Sequence, residues 1–505
     1  MKVFKGTKKH MNMPEMIRFD EKWEMSDRLD ENERQLQHIF AKCSDFCMRK
    51  IVLDDSFPIL IAYIEGLVDT KHADTALLEP LIRRMDRPKD HPVSMMEWLQ
   101  KEFVSVVQAE WVEKSDEVVK RIINGEMVLM ADRTKVFMTL DMKTSDVNRQ
   151  PQESLTEAVI RGSHLGFVEN VSINVAMIRH RIRTPYLKTE QFYVGNLTKT
   201  RVVVVYIENI ASPEIVEEIK RRIRRLDIEA VLESGQIEEC ISDNKYTIFP
   251  LFQLTERPDT VTGLLLEGKV TILIDGTPMT LSAPHTFWEG FQTAEDYYNK
   301  YIFSTAIRWL RYLFAMIAML LPSFYVAVTN FHQEMIPTGL ALSIAAARQT
   351  APFPTMVEAL MMEIVFEVLR EAGIRLPTPI GPTISIVGAL VIGEASVQAG
   401  IISAPIIIVV ALTGIASFLI PKVGMNYAIR LLRFPIIALA GMFGLYGIFA
   451  GLLAILIHLV NLESAGVPYM APIAPFKKEG LADVLVRAPS WVLYRRGKKE
   501  GGKNQ

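Results

Sequence analysis

The hydropathy of this chain changes abruptly near residue 311. Before that point charged residues are spread through the sequence, whereas the last third contains three long stretches with no charged side chain. These stretches are residues 312–331, 395–421 and 434–457, with lengths of 20, 27 and 24 residues. Each is long enough to cross the hydrocarbon of a bilayer as a helix. The sequence therefore predicts a large soluble head followed by a membrane-spanning helical domain.

The ends of the chain bear on its orientation in the membrane. Residues 1–10 are basic but have no apolar core and no small-residue cleavage site, so we expect no signal peptide. Arg308 and Arg311 precede the first apolar stretch, as the positive-inside rule expects at a cytoplasmic boundary. We therefore expect a multi-pass membrane protein with its head on the cytoplasmic side.

Composition argues against several other classes of protein. The formal net charge of −2 gives no basic excess for a nucleic-acid partner. The spacing of Cys43, Cys47 and Cys240 indicates neither a disulfide framework nor a zinc site, so we expect reduced structural thiols. The sequence has no Gly-rich phosphate loop, no His-x-x-x-His pair and no Gly-x-Ser-x-Gly elbow. We expect no enzyme activity, no cofactor and no metal.

The head contains an internal duplication. Residues 61–66 recur as 204–209, and residues 125–132 recur as 268–275, both with an offset of 143 residues. Between them, 81–86 resembles 223–227 at nearly the same spacing. Each copy has an apolar β-branched run, an amphipathic helix and a hairpin, the hairpins falling at 127–139 and 270–281. Two similar α/β subdomains follow, and the cleft between them suits either a ligand or a rigid assembly platform.

The predicted fold is thus a duplicated α/β head followed by an all-α transmembrane domain. The expected organisation is a flexible N-terminal segment at 1–35, α/β subdomains at 36–145 and 155–290, a connecting amphipathic helix at 291–311, a transmembrane domain at 312–460 and a basic tail at 461–505. The tail contains Lys477, Lys478, Arg487, Arg495, Arg496, Lys498, Lys499 and Lys503. Because it carries more charge than the loop at 422–433, we place it inside. An even number of crossings follows, so 333–376 is expected to be re-entrant or to cross twice.

A predicted helix at 354–373 has an acidic face. Spacings of three and four residues place on that face Met356, Leu360, Glu363, Glu367 and Glu371. Carboxylates at membrane depth are costly unless they face water or a partner. Several copies around a symmetry axis would form an acidic ring that favours cations, with Met356 and Leu360 as an apolar constriction. The alternative is an interfacial helix lying flat with its carboxylates among the headgroups.

Glu394 is a second ionisable group inside an apolar stretch. It is flanked by uncharged residues on both sides, at 384–393 and 395–402. Such a carboxyl group either stays protonated and bonded to a neighbouring helix or lines a hydrated path. Both interpretations remain open from the sequence.

The head has two compact charged motifs, at 161–164 and 255–259. Each suits either a polar binding interface or a loop that caps a helix and forms surface ion pairs. Together with segments of the apolar half, these motifs resemble the A subunits of the GerA family, the spore germination proteins. The matching segments are 160–170, 178–182, 249–250, 255–259, 332–340, 353–354, 367–377, 385–390 and 466–469. The motif residues carrying the resemblance include Arg161, Gly162, Glu169, Asn170, Thr255, Glu256, Arg257, Pro258, Asp259, His332, Gln333, Glu334 and Pro337.

The resemblance spans about residues 40–475. The head is also similar to stage V sporulation protein AF, but 332–340 and 367–377 favour a receptor A subunit. The resemblance to the A subunits implies that the chain is a component of a nutrient germinant receptor in the spore inner membrane. It would act there beside a transporter-like B subunit and a lipoprotein C subunit. It further implies a homo-oligomer, a pentamer, that forms a nutrient-gated cation channel. The family more often has Gln where this chain has Glu394.

Two other functions remain open. In a scaffold or sensor, the head would bind a ligand or partner subunit and the spans would anchor and signal. In a secondary transporter, helices broken at Pro337, Pro354 and Pro377 would build a site at the membrane midplane.

Overall fold

The computed structural model describes residues 23–53, 57–75, 109–143, 157, 159–375, 391–477, 481–489 and 491. The chain forms two compact units. The head unit comprises Met1–Ser242, Phe252–Pro284 and Ser490–Gln505, and the helical unit comprises Asp243–Leu251 and His285–Pro489. Elements are numbered below in chain order over the described residues.

The head unit contains two five-stranded antiparallel sheets with the same strand order. The first, in the order β1-β2-β4-β5-β3, is built from β1 (Phe46–Leu53), β2 (Phe57–Ile64), β3 (Ala109–Val112), β4 (Met127–Ala131) and β5 (Phe137–Leu140). The second, in the order β6-β7-β9-β10-β8, is built from β6 (Leu187–Val194), β7 (Thr200–Ile207), β8 (Gln253–Thr255), β9 (Val270–Ile274) and β10 (Thr280–Ala283). The shared order confirms the predicted duplication and both predicted hairpins.

Helices of the two repeats also correspond. The described helices of the head unit are α1 (Leu29–Ile39), α2 (Thr70–Ala73), α3 (Ser115–Ile123), α4 (Val171–Arg181), α5 (Pro213–Arg224), α6 (Ser234–Ile241) and α7 (Pro258–Leu266). Helix α3 buries Val118, Val119 and Ile122 in the core of the first sheet, and α7 buries Val261 and Leu265 in that of the second. Spacings of three and four residues put these side chains on one helix face. The third sequence match, at 81–86, lies outside the described residues.

The first repeat begins earlier than the sequence predicts. Residues 29–35, expected within a flexible segment, belong to α1, and Leu29 is only 1% exposed. The sequence did not predict this helix because a polar residue, Asn32, lies on its buried face. The Asn32 side chain donates to the Ser26 carbonyl at 2.6 Å and accepts from the Ser26 amide at 3.1 Å. Asn174 in α4 bonds Val168 in the same way, at 2.6 and 2.9 Å.

A buried ion pair joins the two repeats. Asp45, just before β1, accepts hydrogen bonds from Arg179 of α4 at 2.7 and 2.9 Å and from the Thr189 hydroxyl of β6 at 2.6 Å. Burial by itself raises the pKa of Asp45, but the charge and hydrogen bonds of Arg179 and Thr189 lower that pKa below its ordinary value. Nearby, the Thr189 backbone exchanges hydrogen bonds with Lys42 and Ser44 at 3.0 and 2.8 Å.

The helical unit is built around two long helices. Its elements are 3-10 turns at Phe287–Phe291 and Gln333–Met335, α8 (Glu295–Tyr298), α9 (Tyr301–Phe331), α10 (Thr338–Arg348), α11 (Thr355–Arg375), α12 (Ala404–Phe418), α13 (Val423–Val460), the strand pair β11 (Glu463–Ser464) and β12 (Val467–Pro468), and α14 (Leu481–Val484). Val326 of α9 and Ile437 of α13 are buried with Met362 of α11 and Ile406 of α12 in one apolar cluster. Helices α9 and α13 are long and apolar enough to cross a bilayer.

The predicted third span, 395–421, is not one helix. A helical stretch at 391–398 ends before Gly400, whose φ of +65° breaks the helix, and α12 starts after Ser403 with Pro405 in its first turn. At 15 residues, α12 is roughly 22 Å long, shorter than a bilayer core of about 30 Å. The predicted connecting helix at 291–311 is likewise absent as a separate element, since residues 301–311 are the first turns of α9.

We predict that Asp45→Asn lowers the free energy of opening of the head by about 3–5 kcal/mol, because it leaves the Arg179 charge buried without a counter-ion. Hydrogen exchange of the β4 and β9 amides in the full chain measures this cost. The pKa of Asp45 is lowered, so its stabilisation is present at neutral pH and is lost as the pH falls below the ordinary Asp value of about 3.9.

The matched control is Asp30→Asn. Asp30 accepts from Lys50 at 2.7 Å on the surface, and exposed pairs contribute about 0–1 kcal/mol. Equal exchange rates in the two variants would contradict a structural role for the Asp45 pair.

Candidate functional site

Two ion pairs join α11 to α13 among the apolar helices. Glu363 is fully buried and accepts a hydrogen bond from Nη1 of Arg433, which is 2% exposed. One turn further along α11, Glu367 accepts from Nε of Arg430 at 2.8 Å and from its Nη2. We call these four side chains the charged layer. The spacing of four residues on α11 and three on α13 puts each set on one helix face.

Glycines let the neighbouring helices approach α11 closely. A Cβ added at Gly441 of α13 would collide with the Met356 side chain, and one at Gly414 of α12 would collide with the Phe366 ring. Met356 and Leu360 are partly buried and pack against the apolar cluster of Val326 and Ile437. Close approach of backbones at small residues is the usual basis of helix packing in membranes.

The charged layer is only partly satisfied by hydrogen bonds. Oε1 of Glu363 and Nε of Arg433 are buried and have no hydrogen-bond partner in the described part of the chain. Removing two charges from water costs several kcal/mol per ion, and their attraction repays this only when the remaining polar atoms are also bonded. The Glu363–Arg433 pair is therefore held together at a high energetic cost.

A second fully buried carboxylate on α11 was not among the site residues selected from the sequence. Glu358 is fully buried, and its Oε2 accepts from the Ser403 amide at 3.1 Å and from the Ser403 hydroxyl at 2.7 Å. Ser403 is the residue before α12, so the carboxylate lies at a helix N-terminus, where the helix dipole favours a negative charge. Arg348 lies 3.9 Å from the other oxygen. The Ser-Ala-Pro sequence at 403–405 signals this helix start.

The other predicted carboxylates lie apart from the charged layer. Glu371, near the end of α11, is exposed and accepts from Arg375 at 2.7 Å. Glu394 is also exposed, and its Oε1 accepts from Gln398 at 3.0 Å, one turn further along the same helical stretch. Its bonded partner is therefore not on a neighbouring helix.

The motif at 332–340 lies where α13 departs from helical geometry. His332 ends α9, and Gln333 donates to the Thr329 carbonyl at 3.0 Å. A Cβ at Gly444, which has a φ of +63° inside α13, would lie 3.0 Å from the His332 ring. Glu334 is exposed in the following 3-10 turn, and Pro337 directly precedes α10.

The two head motifs bind each other. Arg257, 2% exposed, donates to Asp259 at 2.6 and 3.1 Å, to the Glu157 carbonyl at 3.1 Å and to the Ser163 carbonyl at 2.9 Å. The Thr255 hydroxyl donates to the Glu157 carboxylate, and the Glu256 carbonyl accepts from the Phe167 amide at 2.7 Å. The motif at 255–259, with Pro258 opening α7, thus holds the loop that contains Arg161 and Gly162.

Glu169 and Asn170 end that loop. The Glu169 carbonyl accepts from the Gly276 amide at 2.7 Å, and the Asn170 side chain caps α4 by accepting from the Ser172 amide at 2.9 Å. Of the two interpretations of these motifs, capping and internal hydrogen bonding match their contacts, although the central ion pair is buried rather than on the surface.

A small cavity lies between the two repeats of the head. It has about 310 Å³ of empty space, including the part open to solvent. Its lining residues are Ser44, Asp45, Glu65, Ser172, Val175, Gln191, Arg201 and Val203. Asp45 is already bonded to Arg179. The predicted ligand cleft between the repeats stays a prediction.

We predict that Arg433→Met destabilises the purified chain in detergent by about 3–5 kcal/mol, because Glu363 is then left buried without its counter-ion. The double variant Glu363→Leu/Arg433→Met should recover most of that loss, since apolar residues often replace a buried pair at little cost. Thermal unfolding of both variants tests this. A double variant as unstable as the single one would show that the two residues do not act as a pair.

Comparisons with known proteins identify relatives over most of the chain. The family described as "Bacillus/Clostridium GerA spore germination protein" matches residues 34–499. The uncharacterized membrane protein YfkQ of Bacillus subtilis (strain 168) is 45% identical over 94% of this chain and 91% of its own length. Spore germination protein KA of the same strain is 41% identical over 94% of this chain and 86% of its own.

Two further matches come from other species. Spore germination protein GerLA of Bacillus cereus is 36% identical over 94% of this chain and 96% of its own length. Among solved structures, the N-terminal domain of the A subunit of the Bacillus megaterium spore germinant receptor GerK3 is 30% identical, with a TM-score of 0.42 over 53% of this chain and 98% of that domain.

Proposed function

Because the chain belongs to the GerA family of spore germination proteins, we propose that it is the A-type membrane subunit of a spore nutrient germinant receptor. In this proposal several copies, a pentamer by family resemblance, form a nutrient-gated cation channel. The channel works beside a transporter-like B subunit and a lipoprotein C subunit. It lies in the spore inner membrane with the head on the core side.

The charged layer is the observation that carries the channel proposal. Glu363 and Arg433 are buried among helices of which two are long and apolar enough to cross a bilayer. Ionisable groups at membrane depth are expensive, and proteins keep them mainly along ion paths and at switches. The proposal therefore takes α11 as the pore-lining helix, with Met356 and Leu360 as its constriction and Glu363 and Glu367 as its acidic groups.

Pairing with α13 represents the non-conducting state in this proposal. While Glu363 and Glu367 are bonded to Arg433 and Arg430, their negative charge is neutralised within one chain. Separation of α11 from α13 would free both carboxylates to attract cations. The unbonded Oε1 of Glu363 and Nε of Arg433 lower the cost of that separation, because fewer hydrogen bonds have to break.

The test is cation release from germinant-treated spores that carry native or variant chains at matched protein levels. Leu360→Ala is expected to cause release without nutrient, because it widens the apolar constriction. Glu363→Gln is expected to slow release, because Gln attracts no cation in the open channel. It also leaves the Arg433 charge without a counter-ion, so release is compared at equal amounts of folded chain.

Glu371→Gln is the matched control, since it makes the same chemical change at an exposed position with its own partner, Arg375. Release should equal that of the native chain. If Leu360→Ala and Glu363→Gln also behave as native, α11 does not line a pore and the scaffold function becomes the better account. Saturable flux of a nutrient would instead favour a transporter.

A further inference from the structure

The long helix α13 folds back on itself. Inside its 38 residues, Gly444 has the non-helical angles φ +63° and ψ −142°. A Cβ added at Gly447 would collide with the Leu439 carbonyl. One added at Gly451 would lie 3.7 Å from the Ile436 side chain, 15 residues earlier. In a straight helix, positions with that separation are roughly 22 Å apart. The chain therefore reverses its direction at Gly444.

Both ends of α13 contact the same two adjacent residues. Near the start, a Cβ added at Gly424 would lie 3.1 Å from the Pro250 side chain. Near the end, the His458 ring lies 6.1 Å from the Phe249 ring. A straight helix of 38 residues would be roughly 57 Å long. Only a hairpin brings its two ends to one place.

The 3-10 turn at Phe287–Phe291 also contacts both ends. A Cβ added at Gly290 would collide with the Met425 side chain, just inside the start of α13. The Phe287 amide donates to the carbonyl of Tyr469, nine residues beyond the end of α13, at 2.9 Å. Two separate segments therefore place the start and the end of α13 side by side.

The hairpin has two antiparallel arms, at 423–443 and 445–460. Their lengths are 21 and 16 residues, or roughly 31 and 24 Å, against about 30 Å for a bilayer core. The uncharged run at 434–457 covers the tip and the adjoining parts of both arms. Each arm is thus apolar at the tip and close in length to one membrane crossing.

Helix α9 shows how far the tip lies from the two ends. The Tyr312 ring lies 5.2 Å from the ring of Phe291, in the 3-10 turn that contacts both ends of α13. At the other end of α9, a Cβ added at Gly444 would lie 3.1 Å from the Phe331 side chain. Tyr312 and Phe331 are 19 residues apart, which is roughly 28 Å along a helix. The tip is therefore about one bilayer core away from both ends of α13.

We propose that α13 crosses the membrane twice, as a helical hairpin. Its two ends lie at the same face of the bilayer as the start of α9, and its tip at Gly444 lies at the opposite face. The uncharged run at 434–457 then contributes to two crossings instead of one. This inference rests on the membrane assignment in the proposed function but not on the channel.

The hairpin also sets the depth of the charged layer. Arg433 is ten residues beyond the start of the first arm, or roughly 15 Å along it. The start of α11 lies near the tip, because a Cβ added at Gly441 would collide with the Met356 side chain. Glu363 is eight residues beyond that start, or roughly 12 Å. Counted from opposite faces, both distances are about half of a bilayer core, so the Glu363–Arg433 pair lies near the midplane.

The first experiment locates three exposed positions relative to the membrane. Single cysteines replace Val423, Asn461 and Glu334 in the full chain, which also carries Cys47→Ser and Cys240→Ser, while the buried Cys43 is kept. Sealed membrane vesicles are treated with a membrane-impermeant maleimide before or after permeabilisation. Val423→Cys and Asn461→Cys are expected to react from the same face. Glu334→Cys, in the turn after α9, is expected to react from the other.

The second experiment tests the fold of the hairpin directly. In the same background, mild oxidation of Ile436→Cys/Gly451→Cys is expected to form a disulfide within one chain. After unfolding, only Cys43 should then react with a maleimide. The matched control is Met316→Cys/Phe331→Cys in α9, which has the same separation of 15 residues. Because α9 does not fold back, both of its added thiols should stay reactive.

Several results would overturn the hairpin. If Val423→Cys and Asn461→Cys react from opposite faces, α13 crosses once. Free thiols at positions 436 and 451 after oxidation would show that the arms are not adjacent. If Glu334→Cys reacts from the same face as the other two, the tip does not reach the far side and the hairpin does not cross. A chain absent from the membrane fraction would refute the proposed membrane function as well, whereas unchanged cation release in the α11 variants would refute only the channel.

Discussion

The helical unit depends on the ion pairs between α11 and α13. A buried carboxylate or guanidinium among apolar side chains is stable only beside its partner, so the pairing of Glu363 with Arg433 fixes the rotation of α11 and its height against α13. The half-buried pair of Glu367 and Arg430, one turn further along α11, has the same register. Lipid tails are as apolar as Leu and Val, so helices in a bilayer associate through close van der Waals packing and polar contacts rather than through the hydrophobic effect. The ion pairs supply the polar contacts here, and Gly414 and Gly441 allow the close packing.

A buried ion pair, Asp45 with Arg179, also connects the two repeats of the head. Each sheet has its own apolar core, so the interface between the repeats needs contacts that one repeat cannot form by itself. When α1 is aligned with α4, the residue of the first repeat that is equivalent to Arg179 is Gln37. When β1 is aligned with β6, the residue of the second repeat that is equivalent to Asp45 is Tyr186. The pair is therefore formed where the copies have diverged. Asn32 and Asn174, which fold each repeat locally, have remained the same residue.

The sequence predicted those features that depend on local periodicity. The long apolar helices α9 and α13 and the matching sheets follow from uncharged runs and from alternating patterns. Non-local partners could not be predicted, because Glu367 and Arg430 are 63 residues apart and Glu363 and Arg433 are 70 apart. An uncharged run also gives no sign of where its backbone breaks, so the sequence did not reveal the turn at Gly400. For the same reason it did not reveal the helix start at Ser403, whose hydroxyl donates to the Glu358 carboxylate. Helix α1 was missed because a buried Asn occupies its inner face.

The motifs that identify the family in the head are mainly structural. Arg257 uses its guanidinium to hold Asp259 and the loop near Ser163, and a buried guanidinium must keep such partners wherever the fold is kept. Residues that distinguish one member of the family from another are better sought among exposed charged side chains, because the packing of the fold does not depend on them. Glu394 is such a residue: it is exposed, and its hydrogen bond to Gln398 would persist if Gln replaced it. A change there alters the charge of an apolar segment without altering its contacts, and in the channel that we propose such a charge would act directly on the permeating cation.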